Sequence, residues 1–116
     1  MMLKKIEAII RPEKVRVVLS ALREIGISGV TVVSEKGQGR GSRPLIRDSK
    51  GMPLHIAEYN LMNSVITVVD DSKVNDVMRA IAKVVVSGSK GSGKVFVSPI
   101  DEVMDLENGR RSSNLI

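Results

Sequence analysis

The sequence has no cysteine and no tryptophan, and its only tyrosine, phenylalanine and histidine are Tyr59, Phe96 and His55. Without cysteine there is no disulfide framework and no thiolate metal site. With a single histidine, in a loop, there is no histidine cluster, so neither a bound metal nor histidine proton transfer is expected. Near-absence of aromatics leaves single-stranded nucleic acid no stacking platform. The net charge of +5 and the isoelectric point near 9.8 would otherwise suit a polyanion, but the basic residues are spread along the chain, so nucleic acid is not an expected partner. No nucleophile–base pair and no pair of catalytic carboxylates stands out, and helix capping accounts for the adjacent Asp70 and Asp71. No catalytic residue is assigned, and the chain is expected not to be an enzyme. No apolar run is long enough to span a bilayer and no signal peptide precedes the first strand-like segment. The expectation is a cytoplasmic protein with no membrane insertion.

What remains is 116 residues, 42% of them hydrophobic, enough for one domain with an aliphatic core. Leu3 to Ile10 is a β-branched strand. Val15, Val18, Leu19, Leu22 and Ile25 follow at helical spacing with Gly26 as a stop, so residues 13–25 form an amphipathic helix. Gly29 to Lys36 is a second strand, and 63–69 a third. Asp70, Asp71 and Ser72 offer N-caps to a second helix carrying Val74, Val77, Met78, Ile81, Val84 and Val85. Val95 to Ser98 is a fourth strand. Between strands 2 and 3, residues 37–61 break the pattern with four glycines, two prolines and the cations Arg40, Arg43, Arg47 and Lys50. A segment of that length without periodicity is functional or disordered. From Asp105 onward the chain reads as a polar, mobile tail. The order β-α-β, long loop, β-α-β gives an α+β fold, the ferredoxin-like βαββαβ sandwich. Two helices cover one face of such a sheet. The first strand is apolar on both sides, so the other face calls for a second copy of the chain.

Ser87-Gly-Ser-Lys-Gly-Ser-Gly-Lys94 holds three glycines, three serines and two lysines in eight positions. Glycines let successive N–H groups converge, lysine adds charge and serine adds donors, which suits a phosphate or another small anion. A flexible connector has the same composition. Gly88 to Lys94 matches G-x-x-x-x-G-K, but Val95 stands where a Mg²⁺-binding hydroxyl is needed and the following residues form a strand, which excludes a P-loop.

Three segments resemble the PII signal-transduction family in the right order: Lys5-Ile-Glu-Ala-Ile-Ile-Arg-Pro12, Gly29-Val-Thr-Val-Val-Ser-Glu-Lys-Gly-Gln-Gly-Arg40, and Ser87-x-x-x-Gly-Ser-Gly-Lys-Val-Phe-Val97. The resemblance implies a single PII-like domain over 1–116, with its T-loop at about 37–61, its B-loop at 87–94 and a C-terminal segment at 105–116. It implies a homotrimer that binds an adenine nucleotide in clefts between subunits and acts on a target transporter or enzyme through the T-loop. Thr31 and the strand backbone near Val68 would face the adenine. Gly37, Gln38, Gly39 and Arg40 would line the loop base, and Gly91, Ser92, Gly93 and Lys94 would hold the phosphates.

The departures from the pattern sharpen the expectation. Gly41 replaces the glutamine that ligates Mg²⁺ beside 2-oxoglutarate, and Met62 replaces the lysine that pairs with that acid. Ser92 stands for the usual Asp or Tyr. Of the loop's modifiable tyrosine motif only Ala57-Glu58-Tyr59 remains. Asp105 and Glu107 stand where two arginines usually reach a neighbour's phosphates. Unit charges about 4 Å apart interact by roughly 4 kcal/mol at an effective dielectric near 20, so two anions there disfavour a triphosphate, although Arg110 and Arg111 follow closely. The expected effector is therefore ADP or AMP before Mg-ATP with 2-oxoglutarate. The alternative is a nucleotide-independent trimeric module whose basic arm, with Arg43, Arg47 and Lys50, holds an acidic partner.

Overall fold

The computed structural model describes residues 2–38, 45–46, 55–56, 59–88 and 92–112. Strand β1 (Leu3–Ile10) leads through a 3-10 turn (Pro12–Lys14) into helix α1 (Val15–Glu24) and strand β2 (Thr31–Gly37). Two short strands, β3 (Leu45–Ile46) and β4 (His55–Ile56), precede β5 (Asn60–Asp70). A second 3-10 turn (Asp71–Lys73) opens α2 (Val74–Val85), and β6 (Gly93–Ile100), β7 (Val103–Met104) and β8 (Arg111–Ser112) follow.

Four strands form one sheet in the order β2-β5-β1-β6, every neighbouring pair antiparallel. This is the ferredoxin-like arrangement. Side chains alternate across a strand, so the register sorts the residues by face. Ile6 lies between Thr67 and Val97, and Ala8 between Val65 and Val95. Ile6, Ala8 and Val65 meet Val18 and Leu22 of α1 and Val77 and Ile81 of α2 in one core, with Val95 packed against it. Fully burying an aliphatic side chain of this size contributes about 2 kcal/mol. The residues between them on the strands, including Glu7, Ile9, Ser64, Ile66, Lys94 and Phe96, face the side without helices.

The helix ends follow local chemistry. Pro12 enters the first turn, where its missing N–H costs nothing. Gly26, at φ +87, closes α1 in a Schellman motif: the N–H of Gly26 donates to Arg23 O at 3.0 Å and that of Ile27 to Leu22 O at 2.9 Å. At α2 the carboxylate of Asp70 accepts from the Ser72 N–H at 3.1 Å and from the Ser72 hydroxyl. The Ser72 side chain is the main cause that holds the Asp70 carboxyl below its ordinary value of 3.8, with desolvation opposing. A lowered folded value means stability present above the unfolded value and lost as pH falls. Wild type is therefore expected to melt higher than Asp70→Ala at pH 6, and the difference in thermal midpoint to shrink below pH about 4. A pH-independent difference would contradict this.

Two segments differ from the sequence-based expectation. Residues 37–61 contain an antiparallel pair, with Leu45 opposite Ile56 and Ile46 opposite His55. β5 also begins earlier than residue 63, because Asn60, Leu61 and Met62 pair with Gly37, Lys36 and Glu35. The supposedly mobile tail is a hairpin through residue 112. Asp105 N–H donates to Arg110 O at 2.8 Å, Gly109 N–H to Asp105 O at 2.7 Å, and the turn holds Gly109 at φ +74. Asp105 Oδ1 accepts from Glu107 N–H and Asn108 Oδ1 from Arg110 N–H, both at 2.9 Å. Arg111 pairs with Glu102 across the strands. Composition suggested mobility, but Asp and Asn side chains that bond their own backbone order a turn without a core.

Candidate functional site

Strand β2 covers β5 only as far as the pair Thr31–Ile66. From Thr67 to Asp70 that flank of β5 has no strand beside it. The loop after α1 crosses there, tied down where the Thr67 hydroxyl donates to Gly29 O at 2.7 Å. Between them lies a cavity of about 600 Å³ whose lining includes Gly29, Thr31, Val68, Asp70 and Lys73. Thr31 and Val68 share the helix-free face. The cavity is thus walled by apolar side chains and crossed by unpaired strand backbone, which suits a flat ring with hydrogen-bonding edges.

The glycine-rich segment delivers its residues to the opposite edge of the sheet. Gly93 pairs with Ile10 and Lys94 with Ile9 at the start of β6. Lys94 is exposed, and on the same helix-free face. The neck of the loop is tied by the Ser87 and Ser92 hydroxyls, 2.8 Å apart. Gly93 has φ +120, and a Cβ there would lie 2.0 Å from Ile9 O, so only glycine lets β6 start this close to β1.

The structure therefore separates the expected site residues. Thr31 and Val68 border the cavity at the β2–β5 edge, while Ser92, Gly93 and Lys94 sit at the β6 edge. Three strand spacings, about 14 Å, divide β2 from β6, with Ile66 and Glu7 between them in Thr31's own row. Gly37 ends β2 opposite Asn60, with Gln38 exposed beyond it. Gly39, Arg40, Arg43, Arg47, Lys50 and Gly91 lie outside the described residues, as do Gly41, Ala57 and Glu58. Tyr59 is exposed just ahead of β5.

Two groups of side chains escaped the sequence reading. Asp70, read from the sequence as a capping residue, and Lys73, given no role there, line the cavity. On the helix-free face the Ser64 hydroxyl, in a residue only 1% exposed, lies 2.9 Å from Glu7 Oε2 and 2.5 Å from Glu35 Oε1. Glu7, set between Ile6 and Ala8 in β1, was the available signal, but its partners come from two other strands. One hydroxyl proton cannot serve two carboxylates fully, and like charges gathered on it repel. Glu35→Gln is expected to raise stability by about 1 kcal/mol, read as a thermal midpoint a few degrees higher. An unchanged or lower midpoint would refute that.

Among the described residues there is no group of three candidate metal ligands, and no helix is long and apolar enough to cross a membrane.

Comparison with known proteins gives the same architecture a family. The sequence profile of Nitrogen regulatory protein P-II matches residues 3–110. The Nitrogen regulatory protein P-II of Azospirillum brasilense is 36% identical over 116 residues, covering 98% of this chain and 100% of that one. Its counterpart in Rhodospirillum rubrum is 35% identical with the same coverage. Among solved structures, Arabidopsis thaliana PII bound to citrate superimposes with a TM-score of 0.74 at 32% identity, over 96% of this chain and 89% of that one. With a profile match over nearly its whole length and the fold in common, this chain belongs to the nitrogen regulatory protein P-II family.

Proposed function

We propose that the protein is a non-catalytic regulator that binds an adenine nucleotide between subunits of a homotrimer and controls a partner transporter or enzyme through the long loop at 37–61. One observation carries this reading. The base-sized cavity and the Gly93–Lys94 cradle share a face but lie on opposite edges of the sheet, so neither can complete the other within one subunit. Placing the β6 edge of one copy beside the β2–β5 edge of the next brings them together. The same contact covers the exposed Phe96, 51% accessible on the helix-free face, and a closed ring satisfies every edge.

Thr31 and the backbone near Val68 then hold the base. Gly91, Ser92, Gly93 and Lys94 hold the phosphates, with Gly37, Gln38, Gly39 and Arg40 at the loop base. ADP or AMP is the favoured ligand. Asp105 is fixed by its own turn, and with Glu107 it adds negative charge where a third phosphate would need cations. Magnesium with 2-oxoglutarate does not fit the loop base. Met62 offers a dicarboxylate no charge, and its partner across the strands is Glu35, an anion. Citrate in the Arabidopsis relative's structure supports only the coarser point that the family takes small anionic molecules.

Calorimetric titration with AMP, ADP and ATP tests the proposal. ADP or AMP should bind with the highest affinity, and 2-oxoglutarate should leave that affinity unchanged. Lys94→Ala should weaken ADP binding about tenfold or more, the loss of one charge-assisted hydrogen bond. No heat with any adenine nucleotide at millimolar concentration would reject it and favour the nucleotide-independent arm.

A further inference from the structure

The hairpin at 103–112 holds the only Asn-Gly step of the sequence, Asn108-Gly109. Both residues are exposed at its turn. The Asn108 side chain is folded along the backbone that follows it, where Oδ1 accepts from the Arg110 N–H at 2.9 Å. That bond draws electron density from the side-chain carbonyl and makes Cγ more electrophilic. Gly109 has no side chain to shield its nitrogen, and even a Cβ there would meet nothing within 4 Å. One contact opposes attack by that nitrogen on Cγ. The Gly109 N–H donates to Asp105 O at 2.7 Å, which keeps the nitrogen protonated and in place. Little else secures the turn. Among the described residues β7 and β8 pair with each other, and no other element packs extensively on them. A two-stranded hairpin without a core is marginally stable, and its Glu102–Arg111 ion pair is exposed, which limits what the pair adds. Such a segment opens locally far more often than the whole domain unfolds.

We propose that Asn108 is a site of spontaneous covalent modification, converted to aspartate and isoaspartate at a rate set by opening of the hairpin. The Gly109 nitrogen gives up its proton and attacks Asn108 Cγ. The new N–Cγ bond forms, the Cγ–Nδ2 bond breaks, and Nδ2 leaves with that proton as ammonia. Water then opens the cyclic imide. Cleavage at the side-chain carbonyl restores the main chain with aspartate at 108, and cleavage at the main-chain carbonyl leaves isoaspartate. The sum is asparagine and water giving a carboxylic acid and ammonia, with no change of oxidation state. The other asparagines in described elements are placed against it. Asn60 and Asn63 lie in β5 and Asn75 in α2, and the residue after each carries a side chain that crowds the attacking nitrogen. The two products differ in consequence. Aspartate keeps the acceptor that the Arg110 N–H uses, so the turn survives. Isoaspartate adds a methylene to the main chain inside the turn and breaks the pairing of Asp105 with Arg110. Either adds a negative charge to a turn that already carries Asp105 and Glu107.

The test is peptide mapping by mass spectrometry of the full-length protein after storage in mildly alkaline buffer, folded and in denaturant. Asn108 should convert in the folded protein, with both aspartate and isoaspartate recovered, while Asn60, Asn63 and Asn75 stay unmodified. In denaturant Asn108 should convert about tenfold faster or more, because nothing then holds the Gly109 N–H. The double variant Asp105→Ala, Arg111→Ala removes the carboxylate that accepts from the Glu107 N–H and the cross-strand ion pair. It should speed conversion of the folded protein about threefold or more, and a thermal midpoint within a few degrees of wild type establishes that it is folded. An unmodified Asn108 in the folded protein, at a time when the denatured chain has fully converted, overturns the site. Equal rates in folded and denatured protein, or a wild-type rate in the double variant, overturn control by the hairpin.

Discussion

Gly93→Ala is expected to destabilise the protein by about 3 kcal/mol or more and to remove nucleotide binding with it. The added Cβ would meet backbone at every contact: Ile9 O at 2.0 Å, Ile9 C at 3.0 Å and Ile10 Cα at 3.2 Å. No side chain can swing aside to relieve it. Gly93 also sits at φ +120, which an L-residue adopts only under strain. The nearest relief is for the start of β6 to part from β1, which carries Lys94 away from its place beside Ile9. Denaturant unfolding should give the stability loss, and titration with ADP should give no measurable binding. The comparison with Lys94→Ala is informative, since that variant removes the charge and leaves the strand pairing intact. Full stability in Gly93→Ala would mean that the β1–β6 approach is looser than the structure has it.

Ile6→Ala should cost about 3 kcal/mol, within the range for emptying a well-packed aliphatic site, and lower the thermal midpoint by about 12 °C. Ile6 is completely buried. It lies on the strand whose neighbours carry the two halves of the site, Val68 on β5 and Lys94 on β6. The cavity left behind is lined by both helices and both flanking strands, so it cannot collapse without moving them. Below its melting transition the variant should still bind ADP, because no residue proposed to touch the ligand has changed. A loss of binding in the folded variant would show that the spacing of the two edges depends on this one side chain. A midpoint within 3 °C of wild type would refute the packing argument.

Much of this was legible from residue order. Helical spacing at Val15, Val18 and Leu22, and at Val77 and Ile81, produced the two helices, and Gly26 and Asp70 marked their ends. Ile6, Ala8 and Ile10 alternate along β1 on the core side, but with apolar residues on both sides of the strand, residue order did not say which side the helices cover. The hairpin at 103–112 was misread because its order comes from Asp105 and Asn108 bonding to nearby backbone, which polarity alone does not distinguish from a mobile tail. β3 and β4 escaped notice because two-residue strands carry no periodicity. Glu7, Ser64 and Glu35 converge from three strands and 57 positions of sequence separate the first two, so no local pattern could announce them.

By itself, the sequence determined the two helices and the four long strands, the aliphatic core, the absence of thiolate chemistry and the family to which the chain belongs. Each of these depends on residue type and short-range spacing. Tertiary structure alone decided that Thr31 and Val68 lie at one edge of the sheet and Gly93 and Lys94 at the other. The physical reason is strand order. Pairing β1 between β5 and β6 puts sequence neighbours at opposite sides of a rigid sheet, and that separation makes a second copy necessary to complete the proposed site.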